Sequence, residues 1–136
     1  MLKALVTHLL LTVSCQHDGR GLPVRFNGFA MAIILVSIGI TLSAFFISAP
    51  PGLAVLYWFH VVLAAPVLVV VLPLPPAMIY LFAVASISAL LALLALAGLE
   101  TNNSLLLTGM FVWVIVATVS GTMRYLRAQK HDANGQ

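Results

Sequence analysis

Charge is what this chain has least of. Only 7% of its 136 residues are charged and 62% are hydrophobic, whereas a soluble domain carries roughly 25% charged residues. No soluble fold of this size can hide so much apolar side chain, so lipid must be the solvent for much of it. One small membrane domain is expected, with no room for a separate soluble one. Acidic groups number three, Asp18, Glu100 and Asp132. No apolar stretch carries paired carboxylates, which argues against a hydrolase or transferase of the acid–base type. No glycine-rich phosphate loop is present. The single cysteine, Cys15, excludes an internal disulfide and a multi-cysteine metal site.

Positive charge is missing from the whole middle of the chain. Lys3, Arg20 and Arg25 lie before it, and Arg124, Arg127 and Lys130 after it. The net charge of +3 therefore reflects membrane topology, and nucleic acid is not an expected partner. Short positively charged flanks stay in the cytoplasm. This places both termini there, and the even span count read below agrees with it. Such basic ends are also drawn to anionic headgroups, by about 1 kcal/mol per Lys or Arg near the surface.

What is abundant is long apolar runs. Four are long enough to cross a bilayer core: about 26–47, 53–72, 77–99 and 105–125. The links between them are short: SAPPG, PLPP and GLETNNS. Neighbouring spans are then antiparallel and adjacent, which predicts an up-down four-helix bundle. Ahead of it, MLKALVTHLLLTVS has apolar residues at 2, 5, 6, 9, 10 and 13. That is helical spacing with one apolar stripe, too short to span and suited to lying in the headgroup region. The fold expected is thus an all-α integral membrane protein. Residues 1–25 form an amphipathic interfacial helix and cytoplasmic loop, 26–125 a four-helix transmembrane domain, and 126–136 a cytoplasmic tail. A bacterial inner membrane is the expected location.

A lipoprotein signal ending at Ser14-Cys15 is the rival reading of the first segment. Thr12 stands where such signals usually have leucine, His8 interrupts the apolar run, and cleavage would export Arg20 and Arg25 against the charge rule. Adjacent His17 and Asp18 suggest a metal pair only in outline, since a flexible turn supplies no further ligands.

Small residues mark helix–helix contact in lipid. Gly39 and Ser43 in the first span, Ala85, Ser88, Ala89 and Ala92 in the third, and Ser120 and Gly121 in the fourth are the expected packing positions. Leu90, Leu91, Leu93 and Leu94 should face lipid or a partner. Tyr57 and Trp58 fall at aromatic-belt depth, and with Arg20, Arg25, Arg124, Arg127 and Lys130 they would anchor the bundle at the interfaces. His60 is the one ionisable side chain well inside a span, and so the candidate cofactor-binding residue. It suits a haem ligand, a proton or quinone site, or a hydrogen bond across the bundle. No other span holds a second histidine, so a haem would need methionine, with Met110 at the matching depth. No metal or resident cofactor is otherwise expected.

The order LKALVTHLLLTV, GRGLPVRF, NGFAMAIILVSIGI over about the first 45 residues resembles small bacterial membrane proteins of the Yip1 type. That resemblance implies a role in membrane organisation or as a partner of other membrane proteins, with no catalytic residues. The function expected is a non-catalytic accessory, assembly or scaffold subunit whose partners are the bilayer and other membrane subunits or itself. The alternatives are a redox or quinone-site subunit centred on His60, and a small transporter or channel.

Overall fold

The computed structural model describes residues 2–48, 67, 70–99 and 104–134 of the chain. No strand occurs among them. Four helices do: α1 (Leu2–Val13), α2 (Gly28–Ser48), α3 (Leu74–Leu96) and α4 (Ser104–Asn134). The last three are long and apolar enough to cross a membrane, with mean hydropathy of 2.5, 2.5 and 1.9. The expected second span, 53–72, lies outside the described residues apart from Val67 and residues 70–72.

Local chemistry sets where the helices begin and end. Asn27 caps α2: its Oδ1 accepts from Ala30 N–H at 2.9 Å, and its carbonyl accepts the first helical bond from Met31 at 3.0 Å. Asn27→Ala is therefore expected to cost about 1 kcal/mol, with Asn27→Ser recovering most of it; thermal unfolding in detergent measures both. In α3, Pro75 and Pro76 occupy the first turn, where a missing N–H removes no intrahelical bond. The helix stops at a Schellman motif. Gly98 has φ +74°, its N–H bonds Ala95 O, and Leu99 N–H reaches back to Leu94 O, both at 3.0 Å. The end of α1 is built the same way but with Cys15 in the left-handed position at φ +55°. Cys15 N–H bonds Thr12 O and Gln16 N–H bonds Leu11 O.

α3 is the centre of the structure. Every residue from Pro75 to Ala85 is buried, the pattern of a helix with neighbours all round. Phe29, Ala30 and Ile33 at the start of α2 share an apolar cluster with Leu74, Met78, Ile79 and Phe82 at the start of α3. Ile34 packs with Tyr80, Leu81, Ala83 and Val84. The two helices therefore meet near their N-terminal ends. α4 runs antiparallel to α3: Val114 and Ala117 meet Tyr80, Leu81, Ala83 and Val84, and Gly121 lies against Ile79. Leu90 and Leu93 are exposed, as expected of lipid-facing positions, but Leu91 is buried. It lies three residues after Ser88 and beside Ala92, on the packed side of α3.

α1 packs on α3 through the buried His8 and Thr12 and the half-buried Leu9, which meets the cluster of Met78, Ile79 and Phe82. Lys3, Val6, Thr7, Leu10 and Val13 are exposed.

Candidate functional site

The end of the bundle that carries most of the basic residues is sealed by the loop after α1. Its turns need residues free to take positive φ: Gly19 at +80° and Gly21 at +79°. Arg20 N–H donates to Asp18 Oδ1 at 3.0 Å, and Leu22 N–H to Gly19 O at 3.2 Å. The Arg20 guanidinium lies 3.6 Å from the Asp18 carboxylate at the surface, where such a pair adds little. The loop sits on α3 and α4. Ser120 Oγ donates to Cys15 O at 3.2 Å. Gly19 is wedged beside the Tyr125 ring and Pro75, and the His17 carbonyl faces Gly121.

Inside this seal lie two histidines. His8 from α1 and His17 from the loop are 8% and 1% exposed. Their rings are 24° from coplanar, and His8 Nδ1 is 2.9 Å from His17 Nε2. The ring of Phe82 from α3 lies beside His8, 20° from parallel. Thr12 Oγ1 is spent on its own helix, donating to His8 O at 2.9 Å.

The hydrogen bonds define where the protons are. Gly19 N–H donates to His17 Nδ1 at 2.9 Å. A backbone N–H can only donate, so His17 Nδ1 carries a lone pair and its proton is on Nε2. That proton is donated to His8 Nδ1, which leaves the His8 proton on its own Nε2. Both rings are neutral in this arrangement. Burial first, and the neighbouring His8 after it, push His17 down to about 4 against the opposing Asp18 carboxylate. His8 is also lowered, by burial first, again against Asp18.

A transition metal would need a lone pair from each ring aimed at one point. His17 Nε2 holds a proton instead, and among the described residues no group of three His, Cys, Asp or Glu side chains is placed to hold a metal ion.

The residues singled out from sequence fall as follows. His60, Tyr57 and Trp58 lie outside the described residues. Gly39 and Ser43 are on an exposed side of α2, whereas Ser37, Thr41 and Ala44 are buried. Ala85, Ser88 and Ala92 are buried in α3 and Ala89 is half-buried. Ser120 and Gly121 meet the histidine loop. Arg20, Arg25, Arg124, Arg127 and Lys130 are all exposed. Residue by residue, His8 reads as an interruption and His17 as a loop residue. The signals that join them are the polar stripe His8–Thr12 on one face of α1 and the Gly-x-Gly turn that folds the chain back.

Comparison with protein-family models, with curated proteins and with solved structures finds no match to this chain.

Proposed function

We propose that this chain is a four-span integral membrane protein acting without catalysis, as an accessory, assembly or scaffold subunit of a larger membrane complex. The observation that carries the reading is how the hydroxyls of the long helices are used. Thr41 donates to Ser37 O, Ser86 to Phe82 O, Ser88 to Val84 O, Thr118 to Val114 O and Thr122 to Thr118 O, at 2.7–2.8 Å. Each group is consumed by its own helix. Among the described residues no buried side-chain nitrogen or oxygen lacks a partner, so these spans offer a substrate little to bind.

Topology supports the same picture. α2 and α3 meet at their N-terminal ends, and Leu53–Leu72, which lies largely outside the described residues, has the length and apolar character of a fourth span. The loop carrying Arg20 and Arg25 packs near the part of α4 that leads into Arg124, Arg127 and Lys130. In a bacterial inner membrane the charge rule puts that shared end in the cytoplasm. The Yip1-type resemblance points the same way, to membrane organisation through packing.

The test is the state of the native chain in lipid nanodiscs after mild solubilisation. A stoichiometric assembly with another membrane subunit or with itself is expected, and a lone monomer in every lipid tried would end the proposal.

A further inference from the structure

The hydrogen bonds of the His8–His17 pair leave no place for one more proton.

Both Nδ1 atoms are occupied as acceptors. A proton added at His8 Nδ1 faces the His17 Nε2–H donor across 2.9 Å. If His17 moves its own proton to Nδ1 to make room, that proton faces the Gly19 N–H, also at 2.9 Å. Either way one donor meets another donor and a buried bond is lost. The bonds at risk are the ones that tie the loop to α1, and the loop in turn is what seals α1 against α3 and α4. We infer that the His8–His17 pair is an acid-operated latch: protonation opens the junction between α1, the 14–22 loop and the bundle.

The surroundings favour this over a proton being absorbed in place. The loop contributes the one nearby carboxylate, Asp18, already engaged by Arg20, and the thiol of Cys15. From α3 the pair meets Phe82, and that helix has no charged residue; its single titratable group, Tyr80, belongs to the cluster with Val114. From α4 the nearest titratable group is Tyr125, whose hydroxyl accepts from Gln129 at 2.8 Å; Arg124 beside it is exposed. α2 has no titratable residue. Among the described residues only Asp18 helps a positive imidazolium, and it does so from the surface side.

The direction of the effect follows from which form holds more protons. The closed junction lowers both histidines, so it binds fewer protons than the open one. The latch is fully closed above the ordinary histidine value of about 6.5. It loosens as pH falls below that value and towards about 4, the value to which His17 is held.

Cys15 is a built-in reporter, half-buried and packed beside the cluster of α3 and α4. The experiment is the rate at which 4,4′-dithiodipyridine, which reacts with thiols in acid as well as at neutral pH, modifies Cys15 in the full chain in nanodiscs. Rates are normalised to free N-acetylcysteine at each pH. Between about pH 7.5 and 5 the normalised rate is expected to rise about tenfold or more, as linkage to one proton requires. Asp18→Asn removes the group that holds the closed-form values up, so the closed pair resists a proton more strongly and the acid step should be at least as large as in wild type. His8→Asn with His17→Gln cannot titrate and should show no step. A flat wild-type profile, a step retained in the double variant, or an Asp18→Asn step clearly smaller than the wild-type one would each overturn the latch. Should the double variant fail to fold, the wild-type and Asp18→Asn profiles decide the matter without it.

Discussion

Gly19→Ala is expected to cost about 3 kcal/mol or more of unfolding free energy, through two separate terms. The first is local. Gly19 has φ +80°, and an L-residue placed there loses roughly 1–2 kcal/mol to the contact between its Cβ and the following carbonyl. The second is tertiary. A Cβ built on Gly19 meets Tyr125 Cδ2 at 2.6 Å and Cγ at 3.3 Å, with Pro75 Cβ at 3.4 Å behind. None of these atoms is the loose end of a side chain. Tyr125 is 7% exposed and tethered through its hydroxyl to Gln129. Pro75 is locked in the first turn of α3. The loop must therefore lift, and in lifting it breaks the Gly19 N–H bond that assigns the protons of the histidine pair.

Equilibrium unfolding in detergent measures the total, and Gly19→Ala combined with Tyr125→Ala separates the terms. The second change makes room but cannot repair φ, so the double variant should be less unstable than the sum of its single changes and still below Tyr125→Ala alone. A Gly19→Ala protein within about 0.5 kcal/mol of wild type, the range of neutral surface changes, would mean that this loop does not pack on α4.

The helical character of the chain and its long apolar helices are legible from sequence because length and hydropathy encode them directly. So is the start of α2, which Asn27 announces. Less legible is where a helix continues when no side chain forbids it. The segment read as a cytoplasmic tail after Tyr125 is part of α4 as far as Asn134. Leu126, Arg127, Ala128, Gln129 and Lys130 are good helix formers, and no glycine or proline intervenes before Gly135. At 1.5 Å per residue α4 is about 46 Å long, longer than a hydrocarbon core of about 30 Å.

The candidate site was harder to see. Periodicity shows that α1 has a polar and an apolar side, but it cannot say which side faces in. In water the answer would be the apolar side. Here the inner side holds His8 and Thr12 beside the half-buried Leu9, while Val6, Leu10 and Val13 are exposed. The pairing of His8 with His17 then depends on the chain reversing through two positive-φ glycines, a three-dimensional fact that neither histidine signals alone. The small residues behave similarly. Gly121 reads as a contact point, but nothing in its neighbourhood says that the partners are Ile79 and the carbonyl of His17.

That contact carries the second large effect. In an exposed helix Gly→Ala should stabilise by roughly 1 kcal/mol; Gly121→Ala is expected to do the reverse. The new Cβ would stand 2.9 Å from Ile79 Cγ2 and 3.0 Å from Cδ1, with the His17 carbonyl oxygen at 3.5 Å. Ile79 is fully buried and β-branched, so its Cγ2 is held by the one χ1 rotamer a helix favours and cannot swing aside. α3 and α4 must separate by a few tenths of an ångström, and overpacking of this kind costs about 1–3 kcal/mol. The clash should outweigh the propensity gain, for a net loss of up to about 2 kcal/mol. Ile79→Ala alone should cost about 2–5 kcal/mol by leaving a cavity. In the combined variant the alanine at 121 has room, so its loss should vanish and the two changes should fall short of additivity by about 1 kcal/mol or more. Strict additivity in that cycle would show that the two helices do not meet at these residues. Because the His17 carbonyl is the third neighbour of the added methyl, Gly121→Ala should also speed Cys15 labelling at neutral pH. Ile79→Ala in the same background should slow it again, tying the packing of α3 and α4 to the closed state of the histidine latch.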